Sequence, residues 1–486
     1  MGKIKPFAVI LLIICITPLY HFKKVEDLFN GLYTKDIYSG YLETGNPNHS
    51  LFYIFTPSQS DTPQSDPVIL WLHGGPGCSA LDGFLVEMGP VVTEFFTGQG
   101  FHLNEFAWNK NANVLFLESP AGVGFSINKD EVKKYNDQIS STESVYAVGK
   151  FFEEFPMYKD NEFYVSGFSY SGINVPYFVK AYYEQKEFTF NIKGVFIGNG
   201  LTSFESDVER SMVHYGYGHG LISQELMDEF ERNCPHLDFL YTGKPDVPGI
   251  DCKNDFRPRK VTKRCNEIRD TIRNTLYGIE IYGIYTQCRM EGETNSHSNP
   301  MSFLYKGYDK IKKEKLKILE EKCEKIIDDE EKEEEKPVWP EFCGEDEFVT
   351  NFLNNSTTKE KLGVDKSLSW IYCDFDIFNN YVMSESFSLY KEVLIPHNLK
   401  IWHFSGDGDL CVSTLGTMHW IDQLNLGVKT EWRQWHVKNQ VAGYVQEYNN
   451  NFVLITFKGA GHFVPLDRRE ESFIALNGLI NSKLPE

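Results

Sequence analysis

Short apolar runs, separated by polar and helix-like stretches, recur in both halves of the chain. Residues 68–72 (VILWL) are continuously apolar, which is typical of a strand that is buried on both faces. Three further runs, 162–166 (EFYVS), 400–404 (KIWHF) and 451–457 (NFVLITF), are rich in aromatic and β-branched residues and predict strands. Each run leads into a segment with glycine and polar residues. The pattern predicts an open, mostly parallel α/β sheet with functional groups at the carboxyl ends of its strands.

Three of these segments contain a serine, an aspartate and a histidine, in that order along the chain. Ser169 lies in GFSYSG, Asp409 ends SGDGD, and His462 lies in GAGHFVP. This order is that of the α/β-hydrolase triad, whereas other serine proteases build the same geometry in different orders. The order therefore predicts an α/β-hydrolase fold in which Ser169 is the nucleophile and His462 is the general base. Asp407 competes with Asp409 for the third role.

The segments around the serine and after the first strand have the composition that such a site needs. Ser169 lies between a predicted strand and a helix predicted to begin near Val175, and small neighbouring residues permit a strained turn. Residues 73–78 (HGGPGC) follow the apolar run, and adjacent glycines let backbone N–H groups approach a ligand. We assign the oxyanion hole to the N–H groups of Gly75 and Tyr170.

Together, these motifs resemble those of the serine carboxypeptidase family from about Leu28 to the C-terminus, except in one inserted stretch. The resemblance implies an enzyme that releases C-terminal amino acids from peptides and proteins through an acyl-enzyme, without a cofactor. The family uses the second acid of its Gly-Asp-x-Asp motif, which favours Asp409 over Asp407. The other matching segments are 39–42 and 51–53, which resemble the opening hairpin, 74–79, which resembles the oxyanion loop, 108–126, and 197–200.

Two departures from the family pattern fall in the region that binds the C-terminal carboxylate of the substrate. Phe168 replaces the glutamate of the family's Gly-Glu-Ser-Tyr motif, and His73 replaces the asparagine that begins its oxyanion loop. A second family glutamate is retained as Glu87. We expect carboxylate binding to be rebuilt around His73, Gly74 and Glu87, with His73 offering an N–H donor or, below about pH 6.5, a positive charge. The alternative is that His73 only packs beside the loop.

These substitutions also leave a second function open, an acyltransferase or esterase on the same scaffold. Asp82 lies where relatives often carry a small polar residue that lines the pocket for the C-terminal side chain. An acid there predicts a preference for Lys or Arg, unless Asp82 points to solvent. Phe168 and Phe463 are the other predicted pocket residues.

The net charge of −20 over 486 residues disfavours nucleic acid as a partner. Lys3 and Lys5 precede an apolar run over residues 7–19, which predicts a secretory signal peptide over residues 1–22. The run is short for a membrane span, so we expect no stable span after its removal, with an uncleaved anchor as the alternative. The predicted location is the secretory pathway, in a lysosome or vacuole or outside the cell. A homodimer is compatible with the sequence.

The triad spacing indicates one large core that carries an insertion. Residues 23–202 and 365–486 are expected to form the hydrolase core, and residues 203–364 an inserted helical cap. Within the cap, residues 310–336 form a charged low-complexity stretch. We interpret this stretch as a solvated helix or a disordered excursion, with excision during maturation as the alternative.

A secretory route favours disulfides among the ten cysteines. The resemblance implies the pairs Cys78–Cys373 and Cys288–Cys343. Cys411 is left over near the predicted site once a signal peptide containing Cys15 is removed. The cysteines lack the paired spacing of a zinc site, and no metal site is predicted. Four cysteines can pair in three ways: Cys234, Cys252, Cys265 and Cys323.

Three asparagines lie in sequons for N-glycosylation. Asn48 begins Asn-His-Ser, and Asn354 and Asn355 begin overlapping sequons that would not both be used.

Overall fold

The computed structural model describes residues 22–93, 100–234, 262–286 and 347–486. The predicted signal peptide, apart from its last residue, and the charged stretch 310–336 lie outside them, as do Cys288 and Cys343. The strands are β1 Phe22–Lys24, β2 Tyr38–Glu43, β3 His49–Thr56, β4 Val68–Leu72, β5 Val91–Thr93, β6 Phe101–Leu103, β7 Asn113–Leu117, β8 Ile127–Asn128, β9 Tyr135–Asn136, β10 Glu162–Phe168, β11 Asn191–Gly198, β12 Tyr381–Val382, β13 Lys400–Gly406, β14 Val428–Val437, β15 Gln440–Tyr448 and β16 Phe452–Phe457.

Helices connect and cover these strands. They are α1 Asp137–Glu154, α2 Ser171–Glu184, α3 Phe204–Asp207, α4 Glu209–Gly218, α5 Gln224–Asn233, α6 Lys263–Thr275, α7 Glu347–Asn354, α8 Ser356–Leu362, α9 Phe375–Asn380, α10 Phe387–Leu389, α11 Thr414–Gln423, α12 Val464–Asp467 and α13 Arg469–Asn481. Two π-helical turns, Gly83–Glu87 and Tyr390–Leu394, and three short 3₁₀ turns complete the regular structure. Among the residues described, no helix combines the length and the apolar character needed to cross a bilayer.

One sheet of twelve strands runs through the molecule in the order β1-β2-β3-β7-β4-β10-β11-β13-β16-β15-β14, with β8 paired to β3. Its centre, from β7 to β16, is parallel, and its two ends are antiparallel. This is the α/β-hydrolase architecture that the chain order predicted.

The continuous apolar run of β4 follows from burial on both faces of the sheet. Val68, Leu70 and Leu72 pack into one apolar cluster, and Ile69 and Trp71 pack into another on the opposite face. Because successive side chains of a strand point to opposite faces, a strand between two helical layers must be apolar at every position.

Strand and helix limits differ from the predicted ones by a few residues. Strand β10 continues to Phe168, two residues beyond the predicted run, and β13 continues to Gly406. Helix α2 begins at Ser171 instead of near Val175. The differences at β10 and α2 bring regular structure closer to Ser169, and pairing with β4 and β11 holds the backbone of β10 in place almost up to the turn itself.

Within residues 203–364, helices α4 to α6 pack at the end of the sheet where β10 and β13 finish, whereas α7 and α8 pack beside β1 and β2. An apolar cluster joins Met212 and Phe230 of helices α4 and α5 to Tyr170, Leu410 and other residues beside the strand ends. A disulfide between Cys234 and Cys265 links the end of α5 to α6. This is one of the three pairings that the sequence left open.

Candidate active site

Ser169 occupies a strained turn between β10 and α2. Its backbone φ is +58°, a conformation that side chains other than glycine rarely adopt. The chain can approach this turn only without side chains, since a Cβ on Gly74 would lie 2.6 Å from the Ser169 Cβ. A Cβ on Gly167 would collide with the carbonyl oxygen of Leu72. The glycines of both segments are therefore required by close backbone packing around one serine.

The structure brings His462 and Asp409 together at the ends of β16 and β13. The His462 Nδ1 atom lies 2.6 Å from Asp409 Oδ2, and both side chains are buried. Asp409 Oδ1 accepts the backbone N–H groups of Cys411 and Val412 at 2.8 and 3.2 Å. Within the described chain, the Nε2 atom of His462 has no hydrogen-bond partner. The imidazole is thus oriented through one nitrogen, while the other is available to a substrate or nucleophile.

Asp407, the competing acid, is placed elsewhere. Its Oδ1 atom accepts the backbone N–H of Gly459 at 2.6 Å. Its backbone carbonyl accepts the hydroxyl of Tyr215 at 2.5 Å. These contacts give Asp407 a structural role in holding the loop that leads to His462.

A disulfide and a hydrogen bond fix the position of the loop after β4. Cys78 forms a disulfide with Cys373, the first pair implied by the family resemblance. The Ser171 hydroxyl donates to the carbonyl oxygen of His73 at 2.7 Å. Gly75, whose N–H was assigned to the oxyanion hole, has a φ of +112°, which is available to glycine but strained for other residues.

Tyr170, the other predicted oxyanion donor, precedes helix α2, and hydrogen bonds of its side-chain hydroxyl fix its position. Its hydroxyl donates to both carboxylate oxygens of the buried Asp137, 3.1 Å from each. Asp137 also accepts the hydroxyl of Tyr381 at 3.2 Å and the backbone N–H of Ser384 at 2.7 Å. This network fixes the position of the residue after the serine.

His73, Asp82 and Glu87 form a buried cluster beside the nucleophile turn. One nitrogen of His73 and one carboxylate oxygen of each acid all lie within 4.8 Å of one another. Asp82 is 2% exposed, so the alternative that it points to solvent is wrong. Burial, followed by repulsion from Asp82 and Asp467, raises the pKa of Glu87 well above its usual value, and Arg469 opposes this shift.

Burial, and then the neighbouring His462, lowers the pKa of His73 to about 3. His73 is therefore neutral over the pH range in which a free histidine would be charged, and the expected positive charge below about pH 6.5 is not available. Its Nε2 atom lies 3.2 Å from the hydroxyl of Tyr372.

Phe168 replaces the family's glutamate with a buried aromatic ring between the two histidines. Its ring centroid lies 4.5 Å from that of His73 and 5.4 Å from that of His462. Phe463 packs against the same ring at 5.2 Å. The two predicted pocket phenylalanines thus form one apolar wall.

Several residues of this site had no assigned role in the sequence. Asn199 donates to Asp409 Oδ2 at 2.8 Å, although it belongs to a segment quoted above only for its family pattern. The backbone carbonyl of Tyr282 accepts the backbone N–H of His462 at 2.6 Å, and the centroids of the two side-chain rings are 4.8 Å apart. Cys411 is buried and forms no disulfide with another cysteine that the structure describes, and burial raises its thiol pKa well above the usual value. This shift disfavours a reactive thiolate.

The three candidate glycosylation sites differ in their contacts. Asn48 and Asn355 are exposed. The amide of Asn354 donates to the carbonyl oxygens of Thr350 and Trp370 at 3.0 and 2.8 Å. Because a glycan would displace both bonds, Asn355 is the more accessible of the overlapping pair.

Comparisons with known proteins address the family directly. The serine carboxypeptidase family model matches residues 29–482. The lysosomal protective protein of Mus musculus is 31% identical, over 92% of this chain and 90% of its own length. The serine carboxypeptidase ctsa-4.1 of Caenorhabditis elegans is also 31% identical, over 95% and 93%.

Among solved structures, a prohormone-processing carboxypeptidase from Saccharomyces cerevisiae, KEX1(DELTA)P, has the same fold. It superposes with a TM-score of 0.68 at 19% identity and covers 95% of this chain and 96% of its own. Since the family match and the alignments with relatives extend over almost the full length, this chain belongs to the serine carboxypeptidase family of hydrolases.

Proposed function

We propose that Ser169, His462 and Asp409 carry out the carboxypeptidase reaction as nucleophile, general base and orienting carboxylate. The observation that supports this most directly is the short His462–Asp409 contact, which leaves Nε2 of the same imidazole without a hydrogen-bond partner among the described residues. An acyltransferase or esterase function, the alternative left open by the sequence, is not favoured by the relatives.

The reaction begins when Ser169 Oγ attacks the carbonyl carbon of the last peptide bond and His462 Nε2 takes the hydroxyl proton. The carbonyl oxygen becomes an oxyanion that the N–H groups of Gly75 and Tyr170 receive. His462 then protonates the departing amino acid, and the rest of the peptide stays on Ser169 as an ester. Water, deprotonated by His462, attacks the ester, and the serine regains its proton as the shortened peptide leaves.

The substrate's terminal carboxylate is proposed to bind at His73 and Glu87, with Gly74 providing close backbone approach. This pocket is next to the nucleophile, because Gly74, which directly follows His73, comes so close to Ser169 that an added Cβ would lie 2.6 Å from the Ser169 Cβ. The preference for C-terminal Lys or Arg that Asp82 suggested stays a prediction.

We also propose a domain organisation and a cellular location for this enzyme. Residues 203–364 are proposed to cap a core formed by residues 23–202 and 365–486. We place the enzyme in the secretory pathway, and the name of the lysosomal relative supports an acidic compartment.

The test uses purified mature protein with N-blocked dipeptides at pH 5 and pH 7 and measures release of the C-terminal amino acid. Ser169→Ala should lower kcat by about 10⁴-fold or more, while the surface control Ser367→Ala should leave it unchanged. Each dipeptide is also supplied as its C-terminal amide. Release that persists in Ser169→Ala, or equal rates for acid and amide, contradicts the proposed nucleophile or the proposed carboxylate recognition, respectively.

A further inference from the structure

We propose that His73, Asp82 and Glu87 bind a divalent transition-metal ion beside the catalytic serine. The three side chains are 3%, 2% and 0% exposed. One potential ligand atom from each lies within 4.8 Å of the others. Asp82 and Glu87 lie at the two ends of the π-helical turn Gly83–Glu87, a rare local structure that is frequent at functional sites. The turn directs both acids toward the histidine that follows β4.

Unsatisfied polar atoms in this cluster favour the binding of a ligand. Both carboxylate oxygens of Glu87 and the Nδ1 atom of His73 are buried and have no hydrogen-bond partner among the described residues. Buried polar groups are nearly always paired, and an unpaired one is destabilising. A metal ion between the three side chains would satisfy the free nitrogen and at least one oxygen of Glu87 at once.

The charges around the cluster also favour a cation. Two carboxylates lie in the cluster, and the charged groups that act on Glu87 from outside it are Asp467 and Arg469, which oppose each other in sign. Ligation of a metal requires both acids to be ionised, and a substrate carboxylate entering this pocket would then add a third negative charge. A divalent ion balances the two acids and attracts the substrate carboxylate instead of repelling it.

The ligand types fit a transition metal. One imidazole nitrogen and two carboxylates make three protein ligands, the number typical of zinc sites that keep an open position. If His73 Nε2–H donates to Tyr372, Nδ1 presents a lone pair, and such a hydrogen bond commonly orients a metal-binding histidine. The ion would draw the side chains inward, since tetrahedral zinc ligands lie about 3.4 Å apart.

The acids around a second buried histidine, His49, are arranged differently from those around His73. His49 Nδ1 contacts Glu143 at 2.6 Å, and its Nε2 contacts Asp130 at 2.9 Å. The two acids there occupy opposite sides of the ring and use both nitrogens, so they cannot converge on one point. At His73, one nitrogen has no hydrogen-bond partner in the described part of the chain, and the acids approach each other.

The role of the ion rests on the proposed function: its open position would hold the terminal carboxylate of the peptide. In the family pattern an asparagine and a glutamate bind this carboxylate, and His73 and Phe168 occupy their positions here. A metal–carboxylate bond would take over their role. Binding of the ion itself does not depend on catalysis and is tested separately.

The binding experiment uses full-length mature Ser169→Ala protein without an affinity tag, freed of metal by chelation and titrated calorimetrically with Zn²⁺. We expect one tight site per chain, a visible Co²⁺ absorption at the same stoichiometry and no comparable Ca²⁺ binding. His73→Asn, which restores the family's residue, and the isosteric Glu87→Gln should each weaken Zn²⁺ binding by about 100-fold or more, beyond the effect typical of an outer partner. The control His49→Asn should leave the site unchanged. Absence of a tight site, or its survival in both cluster variants, overturns the proposal.

The second experiment measures the active enzyme on a peptide and its C-terminal amide, with Zn²⁺ or after chelation. Zn²⁺ should raise the acid-to-amide rate ratio about tenfold or more, and Glu87→Gln should abolish the increase. An unchanged or lower ratio contradicts carboxylate binding by the ion. If no Ser169-dependent release occurs on any peptide, the proposed function fails, and the calorimetry still decides the metal site.

Discussion

Asn199 connects the carboxylate of Asp409 to the end of strand β13. Its amide nitrogen lies 2.8 Å from Asp409 Oδ2, and its amide oxygen accepts the backbone N–H of Gly406 at 3.0 Å. The same Oδ2 atom faces His462. Asn199 therefore restricts the direction from which the aspartate can meet the imidazole.

Replacing Asn199 with aspartate should impair catalysis more than binding. The variant keeps the size of the side chain and its tolerance of a φ of +36°, but it loses the donor and places a second carboxylate beside Asp409. We expect kcat to fall about 10- to 100-fold with little change in KM, because the general base is misoriented. Steady-state kinetics on a blocked dipeptide measures both. Asn398→Asp, at an exposed asparagine with positive φ, is the matched control, and equal kinetics for the two variants contradicts the role of Asn199.

The two acids of the Gly-Asp-x-Asp segment should differ sharply when replaced. Asp409→Asn leaves the shape intact but favours the wrong imidazole tautomer, and kcat should fall by about 10⁴-fold. Asp407→Asn keeps an oxygen that can accept the Gly459 N–H, and this contact lies in the loop and not at the imidazole of His462, so kcat should stay within about threefold of wild type. Parallel measurement of both variants on one substrate decides the assignment. A larger loss in Asp407→Asn would reverse it.

Local pattern was sufficient for the sheet and for the order of the three candidate catalytic residues. The run 68–72 could be interpreted because burial on both faces makes a central strand apolar throughout. Ser169, Asp409 and His462 could be located because each follows such a strand, and parallel strands end at the same edge of the sheet.

Contacts between distant segments, and the pKa shifts that burial causes, could not be predicted from local sequence pattern. Asn199 meets Asp409 across 210 positions of the chain, and no local spacing encodes that contact. The neutral state of His73 depends on the surroundings of its ring, because desolvation causes its pKa shift. Asp82 is likewise buried immediately before a π-helical turn that the sequence did not predict.

Glu118 should make the protein more stable at acidic pH than at neutral pH. It is fully buried, and burial outweighs its hydrogen bonds with Ser79, Phe125 and Trp370, raising its pKa to about 7. Between its unfolded pKa near 4.5 and this value, the folded state binds more protons than the unfolded state. The free energy of unfolding therefore falls as pH rises through that window, by up to about 3 kcal/mol for this group.

Urea unfolding at pH 5 and pH 7.5 measures this effect. In Glu118→Gln the loss of stability between the two pH values should shrink by about 2–3 kcal/mol, whereas the exposed control Glu392→Gln should match the wild type. Asp137 and Asp207 have pKa values raised by burial to about 6 and about 7, so part of the wild-type slope should remain in the variant. A slope that is unchanged in Glu118→Gln contradicts the assignment.

Gly74→Ala tests whether the close approach of two loops sets the position of the nucleophile. The added Cβ would lie 2.6 Å from the Ser169 Cβ, 3.0 Å from the Phe168 carbonyl oxygen and 3.1 Å from Ser169 Oγ. None of these atoms is at the end of a long, flexible side chain, so the turn itself must shift. A displacement of about 1 Å at a reacting atom is enough to lower the rate about 100-fold. We therefore expect kcat/KM to fall by at least that factor and fluorophosphonate labelling of Ser169 to slow in parallel, while circular dichroism shows an intact fold. Gly218→Ala, at an exposed glycine where no atom of the described residues lies within 4 Å of the added Cβ, should leave both rates unchanged. Labelling at the wild-type rate in Gly74→Ala would show that the turn absorbs the methyl group without moving Ser169.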